Sequence, residues 1–173
     1  MRIELDKLEA TGGQFAHAYE PQELVLDDEH VRLTVWPQIS GKASRSGHQV
    51  RLRGSITARA EVDCDRCLKA VEMPVETSFD VTYVPAADYV AEEETVAELQ
   101  EEDLSLSVFD GEAIDVDDLV REQVLLALPT RALCGEDCKG LCPVCGADKN
   151  QDSCNCESTG VDPRWAALKD LRF

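Results

Sequence analysis

The sequence predicts an α+β fold: a mainly antiparallel β-sheet or open barrel, with one packed helix and a C-terminal zinc-knuckle module. Three observations carry this reading. Val50, Leu52, Ile56, Ala58, Ala60 and Val62 occupy alternate positions, and the alternation resumes in Val71, Met73, Val75, Thr77, Phe79, Val81 and Tyr83, the pattern of half-buried strands. A single stripe of helical period follows, in Val120, Val124, Ala127 and Leu128. Eight cysteines fall into four close pairs, three of which crowd between 134 and 156.

Composition sets the bounds. A chain of 173 residues with 43% hydrophobic content can build a real core, as one domain or one domain with a small module. No apolar run approaches the ~18 residues that a membrane span needs. Met1 to Asp6 shows no basic start leading into an apolar run, so no signal peptide is expected and the protein is expected in the cytoplasm. The formal charge of -18 would ordinarily argue against a nucleic-acid partner. From Ala70 to Val120, however, there are 16 acidic residues and no lysine or arginine, which leaves 17 basic and 19 acidic residues elsewhere. The negative charge is local, and a phosphate partner remains compatible with the rest.

Taken in order, the chain divides into a β-rich domain (1–85), an acidic linker (86–103), a short strand and helix that pack on the β domain (104–133), and a cysteine-rich zinc module with a terminal helix (134–173). Arg2 to Asp6 alternates as a short strand, and Thr11-Gly12-Gly13 reads as a turn. A second strand is expected at Glu23-Leu-Val-Leu26. Val31, Leu33, Val35 and Ile39 share the apolar face of a third, with Pro37 indicating an edge strand or a bulge. The two long alternating runs then form a hairpin, bent at Gly54, whose tip carries Cys64 and Cys67. His17, His30 and His48 lack metal-ligand spacing and are expected on the surface. Leu104, Leu106 and Val108 read as a short strand. Asp115 is placed to cap a helix running to Leu128, with Asp117 and Asp118 at its positive end and Pro129 stopping it. Asp162-Pro163 opens a terminal helix whose Trp165, Leu168 and Leu171 are expected to dock on the domain.

The outward face of the first long strand carries Arg51, Arg53 and Arg59, residues suited to phosphate. The returning strand brings Glu72, Glu76 and Asp80 to the same face, so a salt-bridged, solvated surface is the favoured reading. One register pairs Arg59 with Glu76, and another pairs Arg53 with Asp80. The acidic linker is expected to be a disordered or loosely helical tract. As a mimic of nucleic acid it would hold a basic protein, although such tracts most often serve as solvated tails.

Two cysteines separated by two residues can ligate one zinc ion through thiolates. In Cys142-Pro-Val-Cys145-Gly146 the glycine can take positive φ, which lets amide N–H groups approach the sulfurs. Four pairs allow three divisions into two quartets. The preferred one places Cys142, Cys145, Cys154 and Cys156 in one site, since only eight residues separate the two pairs. Cys64, Cys67, Cys134 and Cys138 then form a second, whose halves lie 66 residues apart. Disulfides would need an oxidising compartment. A thioredoxin-like redox motif would need a βαβ setting rather than two strands and a turn. A rubredoxin-like iron site stays open, because four thiolates suit either metal. Closed four-sulfur sites leave no position for a water nucleophile, and no histidine stands as a base beside a nucleophile, so no enzymatic activity is expected.

Val62-Asp-Cys64-Asp-Arg-Cys67-Leu, the acidic linker, Glu112-Ala-Ile-Asp115, the Leu-Ala-Leu-Pro129 helix end, Cys138-Lys-Gly-Leu-Cys-Pro-Val-Cys145-Gly and Asp162-Pro-Arg-Trp-Ala-Ala-Leu168 together resemble the YceD family of large ribosomal RNA subunit accumulation proteins. The resemblance implies a bacterial or plastid-type factor that supports 23S ribosomal RNA accumulation without known catalysis. The family includes members that carry the first C-x-x-C but lack the knuckle corresponding to Cys142 and Cys145. The leading function is therefore ribosome biogenesis, through binding of large-subunit precursor RNA or an assembly protein, with two structural zinc ions held by the eight cysteines. Arg51, Arg53, Arg59, Lys169 and Arg172 are the candidate RNA contacts. An acidic chaperone for a basic ribosomal protein and an iron electron carrier are the competing readings, and no membrane or small-molecule partner is expected.

Overall fold

Period-two burial organises the protein. In the computed structural model, β4 (Gln49–Asp63) buries Val50, Leu52, Ile56, Ala58, Ala60 and Val62, and turns its arginines outward. Its neighbour β5 (Ala70–Pro85) buries Val75, Phe79 and Tyr83 at the same spacing. The structure describes residues 1–6, 8, 12–89, 105–156 and 164–165. Two compact units are formed: Met1–Val62 with Glu72–Thr130, and Asp63–Val71 with the described residues from Arg131 onward.

The first unit holds a five-stranded sheet in the order β2-β3-β4-β5-β6, completed by β2 (Gly13–Ala18), β3 (Val31–Ser46) and β6 (Leu106–Phe109). A separate antiparallel ribbon pairs β1 (Arg2–Glu4) with β7 (Ala113–Asp115). β2 and β4 run antiparallel to β3. Ion pairs from Arg51 to Asp80 and from Arg59 to Glu72 show β5 running against β4, because the partners descend as the arginines ascend. The sheet is thus mainly antiparallel, with one exception: β6 lies parallel to β5, Val84 facing Val108. One helix, α1 (Asp117–Ala127), buries Leu119, Val120 and Val124 in the same core as Ile39, Leu52, Ile56 and Val75. Ala127 and Leu128 pack on that core partly buried. No helix among the described residues is long and apolar enough to cross a membrane.

Pro37 marks a β-bulge. The β3–β4 register shifts between Val35 and Gln38, and pairing with β2 starts only at Gln38. A residue without an N–H is tolerated where the ladder is interrupted. The structure also corrects three local expectations. Residues 23–26 form no strand, because Gln22 takes φ 74° and the Glu23 N–H bonds the Glu20 carbonyl at 3.1 Å, closing a turn that buries Leu24 in the core and packs Leu26 partly buried against it. The strand in that region is β2, one turn earlier. Asp115 belongs to β7, opposite Arg2, and the helix starts two residues later, although the Asp115 carboxylate accepts the Asp117 N–H at 3.0 Å and still serves that end. Arg59 meets Glu72 rather than Glu76, a register set by the six-residue turn 64–69.

In β6 it is Phe109 that is buried, while Val108 is 45% exposed, so the inward face is the opposite of the one an alternation from Leu104 suggests. Most of the acidic linker, residues 90–103, lies outside the described residues, as do Leu104 and all of the terminal helix except Arg164 and the exposed Trp165.

Two buried tyrosines give the first unit an alkaline limit. The Tyr19 hydroxyl donates to Asp117 Oδ1 at 2.7 Å, and burial with that hydrogen bond raises its pKa. Burial pushes Tyr83 up to about 12. A pKa raised on folding means stability fully present below the unfolded value of about 10 and lost as pH climbs toward the folded value. Denaturant melts should therefore show stability level up to about pH 10, then falling by about 1.4 kcal/mol per pH unit for each such tyrosine. Tyr83→Phe should flatten part of that fall. An unchanged alkaline slope in the variant would remove Tyr83 as its source.

Candidate metal centres and the arginine face

The two C-x-x-C turns are built alike. The Cys64 N–H donates to the Lys69 carbonyl at 2.9 Å, and the Leu68 N–H donates back to the Cys64 carbonyl at 2.9 Å. Likewise the Cys142 N–H donates to Ala147 O at 2.8 Å, and the Gly146 N–H donates to Cys142 O at 2.8 Å. In each turn the residue after the second cysteine is left-handed, Gly146 at φ 74° and Leu68 at φ 60°. For glycine this conformation is free of strain, whereas for leucine it costs about 1–2 kcal/mol. Leu68 is nevertheless there, and its side chain is 63% exposed.

The thiols converge in two groups. Cys64, Cys67, Cys134 and Cys138 form one, and Cys142, Cys145, Cys154 and Cys156 the other, with the sulfurs of each group all within 4.8 Å of one another. Sulfurs at the corners of a tetrahedron around a metal ion 2.3 Å away stand about 3.8 Å apart. Cys64 and Cys138 are separated by 3.9 Å, and Cys67 and Cys134 by 3.5 Å. Either quartet can therefore hold a tetrahedral metal ion. Among the described residues no histidine joins them: His17 bonds Glu23 at 2.6 Å, and His48 bonds Asp88 at 2.9 Å.

Amide donors prepare the sulfurs. The N–H groups of Arg66 and Cys134 hold the Cys64 thiol down at about 6. Those of Cys145 and Val144 do the same for Cys142, also at about 6. Burial raises the Cys138 thiol, but the Gly140 N–H and the Asn150 side-chain amide, 3.5 Å from its sulfur, carry it below the ordinary value. Crowding has the opposite effect where a thiol must share its proton with its neighbours. Hydrogen bonding with Cys138 pushes Cys134 up to about 12, and hydrogen bonding with Cys145 does the same for Cys156. Four thiolates this close repel, so all eight ionise together only when a cation occupies each centre.

Three of the four cysteines of the first centre are buried, Cys64, Cys67 and Cys138 packing against Val71, Leu133 and Leu141, while Cys134 is exposed. The second is open, since Cys145 and Cys156 are exposed. Residues between the cysteines hold the first centre together. The Asp65 N–H donates to Ala132 O at 2.9 Å and its carboxylate accepts the Ala132 N–H at 2.7 Å, while Arg66 Nη1 donates to the carbonyls of Glu136 at 3.1 Å and Cys138 at 2.7 Å. Asp65, Arg66 and Asn150 are structural partners that no sequence signal singled out, because each acts on a segment distant along the chain or through its backbone.

The candidate RNA-binding arginines are engaged elsewhere. Arg51 grips Asp80 with two bonds, Nε to Oδ1 at 2.6 Å and Nη2 to Oδ2 at 2.8 Å, and Arg53 Nε reaches the same carboxylate at 2.8 Å. The Arg51 hydrogen bonds keep the Asp80 carboxyl below the usual carboxylate range. Arg59 Nη1 lies 3.3 Å from Glu72. Lys169 and Arg172 lie outside the described residues.

An antiparallel-dominated sheet with one packed helix, joined in sequence to a unit bearing two four-cysteine clusters, defines the class of protein. Residues 52–172, which include all eight cysteines, match the family model described as large ribosomal RNA subunit accumulation protein YceD, and the chain belongs to that family. An uncharacterized protein of Mycobacterium leprae is 33% identical over 122 residues, which make up 70% of this chain and 52% of that protein. The chain thus spans about half the length of this and the other mycobacterial relatives it matches. The uncharacterized protein YlbN of Bacillus subtilis is 27% identical over 91% of this chain and 87% of its own length. The chloroplastic large ribosomal RNA subunit accumulation protein YCED homolog 1 of Zea mays is 26% identical over 71% of this chain and 49% of its own. No solved structure matches.

Proposed function

We propose that this protein is a non-catalytic factor that supports accumulation of large-subunit ribosomal RNA in the compartment where ribosomes assemble, and that each cysteine quartet holds a structural zinc ion. The observation that carries the reading is the family match over residues 52–172. The donor sets agree with it, since four thiolates complete the coordination of zinc and leave no open position for a substrate or a water nucleophile. Zinc here serves as a folding element for a unit that, among the described residues, has no α-helix and one isolated bridge, Leu141 to Asp148.

Removing the gene from its host and separating ribosomal particles on sucrose gradients tests the role: mature large subunits and 23S RNA should fall while small-subunit RNA is maintained. Unchanged 23S levels would end the proposal. Native mass spectrometry of the purified chain tests the metal. Two zinc ions per chain are expected, and a red protein carrying iron would instead support electron transfer.

A further inference from the structure

The geometry points to the cysteine unit, which carries the exposed Leu68 with Lys69, Lys139 and Lys149, as the surface that binds a single-stranded stretch of RNA. This inference rests on the proposed role in ribosomal RNA accumulation and names the surface that performs it.

Carboxylate pairing dominates in the first unit, although Arg45 there donates only to the carbonyls of Gly47 and Leu5 and Lys42 stands in no ion pair with a described residue. Arg2, Arg32, Arg51, Arg53, Arg59 and Arg121 each stand in an ion pair with a carboxylate. A phosphate approaching that face must displace carboxylates already bound. In the second unit, no ion pair reaches Lys69, Arg131, Lys139 or Lys149 from any described residue, and Arg66 donates only to backbone carbonyls, which leave its charge uncompensated. Glu136, Asp137 and Asp152 are exposed in the same unit, yet none pairs with these cations.

Hydrogen bonds join the segments that carry Arg66, Lys139 and Lys149. The Leu141 N–H donates to Arg66 O at 2.9 Å, and the Lys149 N–H donates to Gly140 O at 3.0 Å. The Lys139 N–H donates to Asn150 Oδ1 at 2.8 Å. Asp148, a carboxylate of the same segment, accepts from the Asn150 N–H at 2.9 Å, Asn150 Nδ2 at 2.7 Å and Gln151 Nε2 at 3.0 Å. Its carboxyl is held below the usual range first by the Asn150 N–H, and the field of Lys69 adds to this.

Leu68 supplies what the lysines lack. Structure alone would favour glycine there, as in the matching turn at Gly146, so a leucine that is both left-handed and 63% exposed contributes through its side chain rather than through its backbone. An exposed apolar tip next to Lys69 suits an unstacked base and its neighbouring phosphate. A duplex, whose bases are stacked inward, offers it only the phosphates.

The test uses the full, zinc-loaded chain and fluorescence anisotropy with a labelled oligouridylate, a duplex RNA of equal length and an oligoglutamate peptide. The single strand should bind best. Replacing Lys69, Lys139 and Lys149 by glutamine should lower the slope of log affinity against log salt by about 0.7 for each lysine that meets a phosphate. L68G should weaken binding about tenfold with that slope unchanged, as expected for one leucine returned to water, and should leave the thermal melt equal or higher. R51Q/R53Q should bind as the parent chain does. If the lysine and Leu68 variants bind like the parent and restore 23S RNA in the deletion strain, this face is wrong and the function stands. If they lose RNA yet still restore 23S RNA, the inference fails as a description of that function. Preference for the peptide over RNA overturns the inference in favour of an acidic protein partner, and unchanged 23S RNA in the deletion strain overturns the functional reading itself.

Discussion

Cys64→Ser is expected to lower the melting temperature by about 10 °C or more and to cut bound zinc from two ions to one. Cys64 is fully buried, its sulfur accepts the Cys134 N–H at 3.4 Å, and its N–H and carbonyl both close the turn to Lys69 and Leu68. A serine hydroxyl stays protonated at neutral pH and cannot replace a thiolate held at about 6. Three remaining sulfurs leave the cage incomplete, and the metal's binding energy is folding energy at such a site.

Cys142→Ser should cost less. The first quartet joins positions 67 and 74 residues apart in its two closest sulfur pairs, whereas Cys145 and Cys154 are only nine apart. Closing the longer loop removes more conformational freedom from the unfolded chain, a difference of about 2 kcal/mol from loop length alone. The second centre is also the more exposed, so its loss uncovers less apolar surface. Thermal melts with native mass spectrometry compare the two variants directly. Equal losses of stability would show that the long-range quartet is not the staple of the pair.

What could be read in advance follows physical range. β4 and β5 are legible because one buried face imposes a strict period of two, and the cysteines are legible as groups because each pair is close enough in sequence to share an ion. β2 is not, since Gly13-Gln-Phe-Ala-His-Ala18 offers only Phe15 as a large apolar residue and depends on β3 to become a strand. Glu23-Leu-Val-Leu26 misleads in the other direction: Val25 is 61% exposed and Gln22 bends the chain, so Leu24 and Leu26 reach the core from a turn rather than from a strand. The Asp115 partner, Arg2, lies at the far end of the chain, and nothing local distinguishes a β7 residue from a helix cap. Parallel pairing of β6 is hidden for the same reason. Leu68 is the sharpest case, because no residue type marks a left-handed leucine until a second turn of the same shape is available for comparison.

Gly54→Val is expected to cost about 3 kcal/mol or more, the other large effect. Gly54 faces Gly41 across β3 and β4, and a Cβ added there would lie 2.2 Å from the Ser40 carbonyl oxygen and 2.8 Å from the Phe79 ring. The same close approach is seen from the partner strand, where a Cβ on Gly41 would meet Arg53 O at 2.3 Å and Phe15 at 2.9 Å. Phe15 and Phe79 stack at 6.5 Å beside these two glycines, so the rings occupy the space that side chains would otherwise fill. A ring can turn aside, but a backbone carbonyl can move only by disturbing the ladder between the two strands. The substitution should therefore loosen the sheet rather than repack it, with earlier hydrogen exchange at Leu52 and Ile56 than at α1. Gly135→Ala, where nothing stands within 4 Å, should change stability by less than about 0.5 kcal/mol. If Gly54→Val melts with the parent protein, the close approach of β3 and β4 is not what these glycines are required for.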